Sequence, residues 1–163
     1  MTVEQMFVPG PPTSLDLRAP WAEPAILSAS LGGGHPDKIV APNGAVAEAA
    51  VVDGRIRVAV SCGDPLDEVV LRSYVVGAAH QALGWVTSEG IAVDDEGRPL
   101  DLTIRSFGIL RASEMPPVDV EIDETPGEPT NGSDAAFAAV AAAVWRAQDH
   151  PADWPTGRLL RER

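Results

Sequence analysis

A chain of 163 residues, 45% apolar and 22% charged, holds enough material for one domain with a sizeable core and is short for two. Its formal net charge of -12 sets it against phosphate backbones and anionic lipid, which excludes nucleic acid and membrane surface as expected partners. A single cysteine, Cys62, excludes a disulfide framework and a cysteine-rich metal site within the chain.

The N-terminus has no basic stretch followed by an apolar run, so no signal peptide is expected, and the chain reads as cytoplasmic. Five of the fifteen prolines fall in residues 1–24. Proline lacks the helical donor, so this part is expected to be an extended arm rather than a long helix, with Trp21 pinning it to the body. A Gly-Gly-Gly-His run ends at His35, and Pro36 and Pro42 follow it closely. Glycine runs cradle phosphate only between a strand and a helix, so a connector is the better reading. Nothing in the spacing gives His35 metal-binding partners, and no metal site is expected.

Residues 45–62 read as a hairpin turning on Asp53-Gly54. A helix is expected over 65–84, opened by Asp64-Pro65 and closed by Gly84. Its core stripe is read as Leu66, Val69, Val70, Tyr74, Gly77, Ala78 and Gln81. A strand-turn-strand is expected around Asp95-Glu96-Gly97. "VDVEIDE" alternates with period two, as a half-buried strand does. The alanine-rich run over 133–148 makes a helix with Phe137, Val140, Ala141, Val144 and Gln148 on one face. A proline-broken tail is expected to fray. These elements make an α+β domain, a single unit of β-hairpins or mixed sheet packed with two main helices. Its divisions are an arm over 1–45, the domain over 46–150 and a tail over 151–163.

From Val58 to about Gln148 the order of motifs resembles the C-terminal part of the molybdenum-cofactor subunit of the xanthine dehydrogenase and aldehyde oxidase family. The motifs are "SCG" at 61–63, "GAAHQALGW" at 77–85, "DDEGRPLD" at 94–101 and "RASEMPPVDVEI" at 111–122. The family chain is several-fold longer, and its earlier part supplies most of the pterin-binding loops. The resemblance therefore implies an end piece that binds no cofactor as an isolated chain. A molybdenum-pterin cofactor is expected only with a partner subunit.

The departures from the family pattern bear on chemistry. The family's cofactor-facing glutamine falls on Tyr74, and the glutamate two residues on falls on Val76. A phenol offers one hydroxyl where an amide both donates and accepts. Aligning the alanine-rich helices puts Asp134, in "GSDAAFAA", on the family's general base. A rival register through "GEP" at 127–129 puts Glu128 there instead. By this resemblance Asp134 and Tyr74 are the candidate catalytic residues, and Gly77, Gln81 and Ser133 the candidate cofactor or substrate contacts. The alternatives stay open beside them: a helix-terminal carboxylate favoured by the dipole for Asp134, a packed aromatic for Tyr74, a satisfied histidine for His80 and a small buried apolar residue for Cys62.

Three functions are compatible with these features. One is a small subunit or accessory fragment of a molybdenum hydroxylase-like oxidoreductase acting on a small molecule. A second is a stand-alone, cofactor-independent enzyme doing acid-base chemistry, such as an isomerase, cyclase or hydrolase. A third is a non-catalytic binding or scaffold protein. The apolar helix faces ending at Trp85 and Trp145 imply a homo-oligomer or a larger molybdenum-hydroxylase subunit as partner.

Overall fold

The computed structural model describes residues 14–31 and 38–160; of residues 14–19 only the backbone is described. The sequence folds as α1 (Ser14–Leu31), β1 (Ile39–Val40), β2 (Val46–Val52), β3 (Arg55–Ser61), α2 (Glu68–Thr87), β4 (Val118–Ile122) and α3 (Ser133–Ala147). The class is α+β, as the mixture of helical and alternating patterns implies.

The hairpin forms where it is expected. Asp53 and Gly54 both take positive φ, 50° and 72°, which matches the twist of the strands they join. The sheet order is β1-β2-β3-β4, antiparallel except for the β3–β4 pair, which is parallel. That parallel pair requires a long crossover, and α2 lies within it. Ile56, Val58 and Val60 alternate inward on β3 and are 2% exposed or less. The other face of β3 carries Arg55 and Arg57, and Arg55 makes a two-pronged ion pair with Asp119 on β4.

The alanine-rich helix is not one-sided. Every residue of α3 from Asp134 to Val144 is buried. It lies against β2 and β3, with α1 and α2 packed along it. Alanine is what allows this. A methyl side chain lets three neighbours approach one helix closely, and the small volumes leave few gaps. The expected single face of Phe137, Val140, Ala141 and Val144 is therefore only part of a helix covered all round. Gln148 caps it from outside, with its amide nitrogen donating to Arg158 O.

Three other expectations need correction. The arm read as extended is helical from Ser14 onward despite Pro20 and Pro24. Its Ala22, Ile26, Ala29 and Ser30 are buried at helical spacing, and tertiary packing outweighs two missing donors. Three hydrogen bonds lock this packing: Ser30 Oγ to Ala142 O, Arg146 Nη1 to Ala29 O, and His150 Nε2 to Ser30 O. Trp21 does pack on the core. The glycine run ending at His35 lies outside the described residues. Second, the strand-turn-strand near Gly97 reduces to one isolated bridge, Val93 with Pro99. Third, the tail up to residue 160 is docked rather than frayed. Thr156 N donates to Val86 O and Gly157 N to Thr87 O. Trp154 meets Trp85 edge-on at 5.0 Å and Trp145 at 5.5 Å, while Trp85 stacks on Phe137 at 5.3 Å. The tryptophans read as an oligomer contact thus partner one another.

Because α3 tolerates no extra volume, Ala141→Leu is expected to cost about 1–3 kcal/mol. Ala147→Leu, at the exposed end of the same helix, should stay within about 0.5 kcal/mol. Urea unfolding midpoints of the two variants against wild type check this.

Candidate functional site

The helix after Cys62 begins later than expected, at Glu68, because Asp67 rather than Asp64 caps it. One carboxylate oxygen of Asp67 accepts from Val69 N at 2.8 Å and Val70 N at 3.1 Å. The helix also runs through Gly84 to Thr87. Its buried stripe is Leu71, Val75, Ala78, Ala79, Ala82, Leu83 and Val86. Of the expected stripe only Ala78 lies inside. Leu66, Val69, Val70 and Tyr74 are exposed by 92%, 73%, 44% and 56%. Apolar residues occur on both sides of α2, so periodicity alone could not choose the face. The result is an uncovered apolar side on which Val70, Tyr74, Gly77 and Gln81 follow at helical spacing.

The first end of this uncovered side borders a groove of about 390 Å³. Pro65, Leu66, Val70, Leu71, Tyr74 and Pro129 supply its apolar walls, and Gly132 its far end. Backbone pairing builds the walls. Asp64 N donates to Gly127 O, and Thr130 N to Cys62 O. Gly63 has a φ of +76°, and a Cβ there would lie 2.2 Å from Glu128 O. Only glycine permits that approach. Gly132 opens α3 under a similar restriction, since an added Cβ would come within 2.9 Å of a Val60 methyl. Asn131 fixes the turn, accepting from Ser133 N through Oδ1 while its carbonyl accepts from Asn43 Nδ2.

The candidate residues divide between two places. Tyr74 lines the groove. Gly77 and Gln81 continue along the uncovered side of α2, away from it. Ser133 is half-buried, and Asp134 is only 4% exposed in the first turn of α3, just beyond Gly132. Asp134 is therefore not the cap of its helix. Gly132 holds that position, and no side chain caps it. Glu128 is exposed on the loop beside Gly63. Cys62 is buried, and burial pushes its thiol up. Among the described residues no cluster of three or more His, Cys, Asp or Glu is arranged to hold a metal. None of their helices is long and apolar enough to cross a membrane.

At the other end of α2 the sequence reading missed Glu89. Its carboxylate folds over Gly84, where a Cβ would lie 2.3 Å from Glu89 Oε1. His80 Nε2 donates to Leu110 O nearby, so the satisfied-histidine reading holds. Burial raises the Glu89 carboxyl above its ordinary 4.5, and His80 pulls it partway back. The folded protein holds this proton more tightly than the unfolded chain. The associated stability is complete below about pH 4.5 and is lost as pH rises through the folded value. Glu89→Gln should therefore raise the melting temperature at about pH 7 and leave it unchanged near pH 3.5. Thermal unfolding at the two pH values tests the sign.

Residues 47–116 match a family model described as a molybdopterin cofactor-binding domain. A curated relative is the gamma subunit of the 6-hydroxypseudooxynicotine dehydrogenase complex of Paenarthrobacter nicotinovorans, 27% identical over 100 residues. The alignment covers 55% of this chain and 13% of that relative. Two solved structures share the fold. Quinoline 2-oxidoreductase from Pseudomonas putida 86 has a TM-score of 0.51 at 22% identity, over 55% of this chain and 12% of its own. The Cu,Mo-CO dehydrogenase has a TM-score of 0.55 at 16% identity, over 64% and 15%. The chain thus spans about one eighth of the relatives' length. Tyr74, Gly77 and Gln81 fall inside the matched stretch; Glu128, Ser133 and Asp134 fall beyond it.

Proposed function

We propose that this chain, which resembles the C-terminal part of the molybdenum-cofactor subunit and carries the match to the cofactor-binding domain over residues 47–116, completes a larger molybdenum hydroxylase-like oxidoreductase. One observation carries the reading. Gly77 sits in the middle of α2 with nothing within 4 Å of where its Cβ would be. A helix-interior glycine costs about 1 kcal/mol relative to alanine. No neighbour among the described residues requires that sacrifice. A backbone or a flat ligand approaching from outside, onto the uncovered side beside Tyr74 and Gln81, would.

The groove does not fit a molybdenum-pterin group by itself. Asp67 accepts from the start of α2, Thr130 Oγ1 donates to Cys62 O, and Asn131 Oδ1 accepts from Ser133 N. These polar atoms are already engaged by the backbone. No Lys or Arg is among the described lining residues to meet a phosphate, and Asp67 would repel one. The reading therefore puts the cofactor-holding groups on a larger subunit, whose site this chain completes. The small-molecule substrate binds to the assembly.

Asp134 is the candidate acid-base carboxylate and Tyr74 the candidate proton donor in that assembly. The support is chemical and positional. Asp134 lies in the first turn of α3 just beyond Gly132, and Tyr74 and Gly132 border the same groove. In the assembled protein a base role predicts that Asp134→Asn lowers kcat by about 100-fold or more with the melting temperature nearly intact. An unchanged kcat would leave Asp134 as structure. A turnover found with the purified chain alone would favour the stand-alone acid-base enzyme.

Assembly has its own test. Co-expressed with a larger molybdopterin-binding chain of the same genome, the protein is expected to co-purify with it, with molybdenum and pterin near one per complex. Expressed by itself in a host that makes the cofactor, it should carry neither. Metal analysis and pterin fluorescence read both. Near-stoichiometric molybdenum on the isolated chain would overturn the reading that the cofactor is held by the larger subunit.

A further inference from the structure

We infer that the loop between Gly90 and Phe107 is the anchor by which this chain docks onto its larger partner, through an apolar tip edged with carboxylates. The inference rests on the functional reading above and names the surface and the chemistry of the partner.

The loop is built to hold its shape. Gly90 N donates to Phe107 O at 2.9 Å and closes the base, while Ser88 Oγ donates to Gly108 O at 2.6 Å just outside it. Gly108 has a φ of +81°, and a Cβ there would lie 2.2 Å from Ser88 O, so the base is closed on a glycine. Within the loop the short polar side chains satisfy local backbone. Asp94 accepts from Glu96 N and Arg98 N. Asp101 accepts from Thr103 N at 2.7 Å and from the Thr103 hydroxyl, and these bonds hold its carboxyl below the usual range. The apolar side chains are not used in the same way. Leu100, Leu102 and Ile104 are exposed by 67%, 77% and 74%, and Ile91, Val93 and Ile109 by about half. An 18-residue connection with a single isolated bridge is uncommon in a compact domain unless it has a function. A concentration of large apolar side chains on such a loop marks an interaction surface.

Charge and length select the occupant. The chain carries a net charge of -12, and the loop holds Asp94, Asp95, Glu96 and Asp101 against Arg98 and Arg105. Two copies docking loop to loop would bring like charge together. A larger chain meets the requirement better, with an apolar patch ringed by Lys or Arg. The family match runs through the whole loop, and the relatives hold more than four fifths of their length outside the aligned part. The loop begins beyond the C-terminal end of α2, and Tyr74 stands thirteen residues before that end, about 20 Å at 1.5 Å per residue. No residue of the loop lines the groove in the described structure, so the anchor and the groove are separate surfaces.

The test uses the chain co-expressed with a larger molybdopterin-binding chain of the same genome, wild type against Leu102→Ser/Ile104→Ser. Both residues are solvent-exposed, so the variant should keep the wild-type melting temperature, and Leu27→Ser on α1 serves as a distant exposed control. The expected result is affinity for the larger chain weakened by about tenfold or more for the loop variant and unchanged for the control. Amides 91–107 should become protected from hydrogen exchange in the wild-type complex. A loop variant that binds as tightly as wild type overturns this inference and leaves the functional reading standing. Wild type that does not bind the larger chain overturns the functional reading, and this inference with it. Sedimentation showing a wild-type dimer that the loop variant abolishes would give the surface to a second copy and overturn the occupant assigned here.

Discussion

Everything in this fold is arranged about the burial of α3. A helix covered on one side places few demands on its neighbours. A helix covered on every side needs a sheet beneath it and two further helices along it, all at close range. Alanine meets that demand at the cost of little apolar area per residue, so the core depends on the number of close contacts rather than on large side chains. The sheet answers with small residues of its own: Ala47 and Ala49 on β2 are buried. Larger groups form an aromatic cluster beside α3, where Trp85 stacks on Phe137 and Trp154 meets Trp85 and Trp145 edge-on.

The hairpin, the half-buried strand and both main helices were legible in the sequence because each is signalled locally. Asp53-Gly54 is a turn signal with a mechanism, "VDVEI" alternates, and alanine propagates a helix. What was not legible depended on tertiary contacts. α1 contains two prolines and forms because Ala22, Ile26 and Ala29 find α3. The buried side of α2 was misread because Val69, Val70 and Tyr74 are as apolar as Leu71 and Val75. Sequence shows that both sides are apolar; only the packing shows which one this chain covers. The mistaken stripe was informative all the same, since it picked out the side that stays uncovered.

The candidate site was legible in part and for a different reason. Tyr74, Gly77 and Gln81 came from the spacing of a family pattern, and they do follow one another along one side of α2. Asp134 came from a helix register, and its burial at the head of α3 could not be foreseen from the residues around it. The groove itself depends on close approaches at Gly63 and Gly132, which are visible only when strand end, loop and helix start are brought together. Glu89 carried no sequence signal at all. Its surroundings come from Gly84 and His80 on α2, and His80 is in turn held by the segment around Leu110.

The position of α3 in the chain also bears on how the protein comes to be made. It is made after α1, the hairpin and α2, yet all three pack against it. Until residue 144 or so has emerged, the preceding elements lack the helix about which their common core is built. Non-local pairing of this kind forms late, and the intermediate exposes strand edges and apolar faces while it waits. The nascent chain is thus more vulnerable to aggregation than the folded one, and its yield in the cell should depend on how quickly α3 is made after the elements it joins or on what shelters them until then.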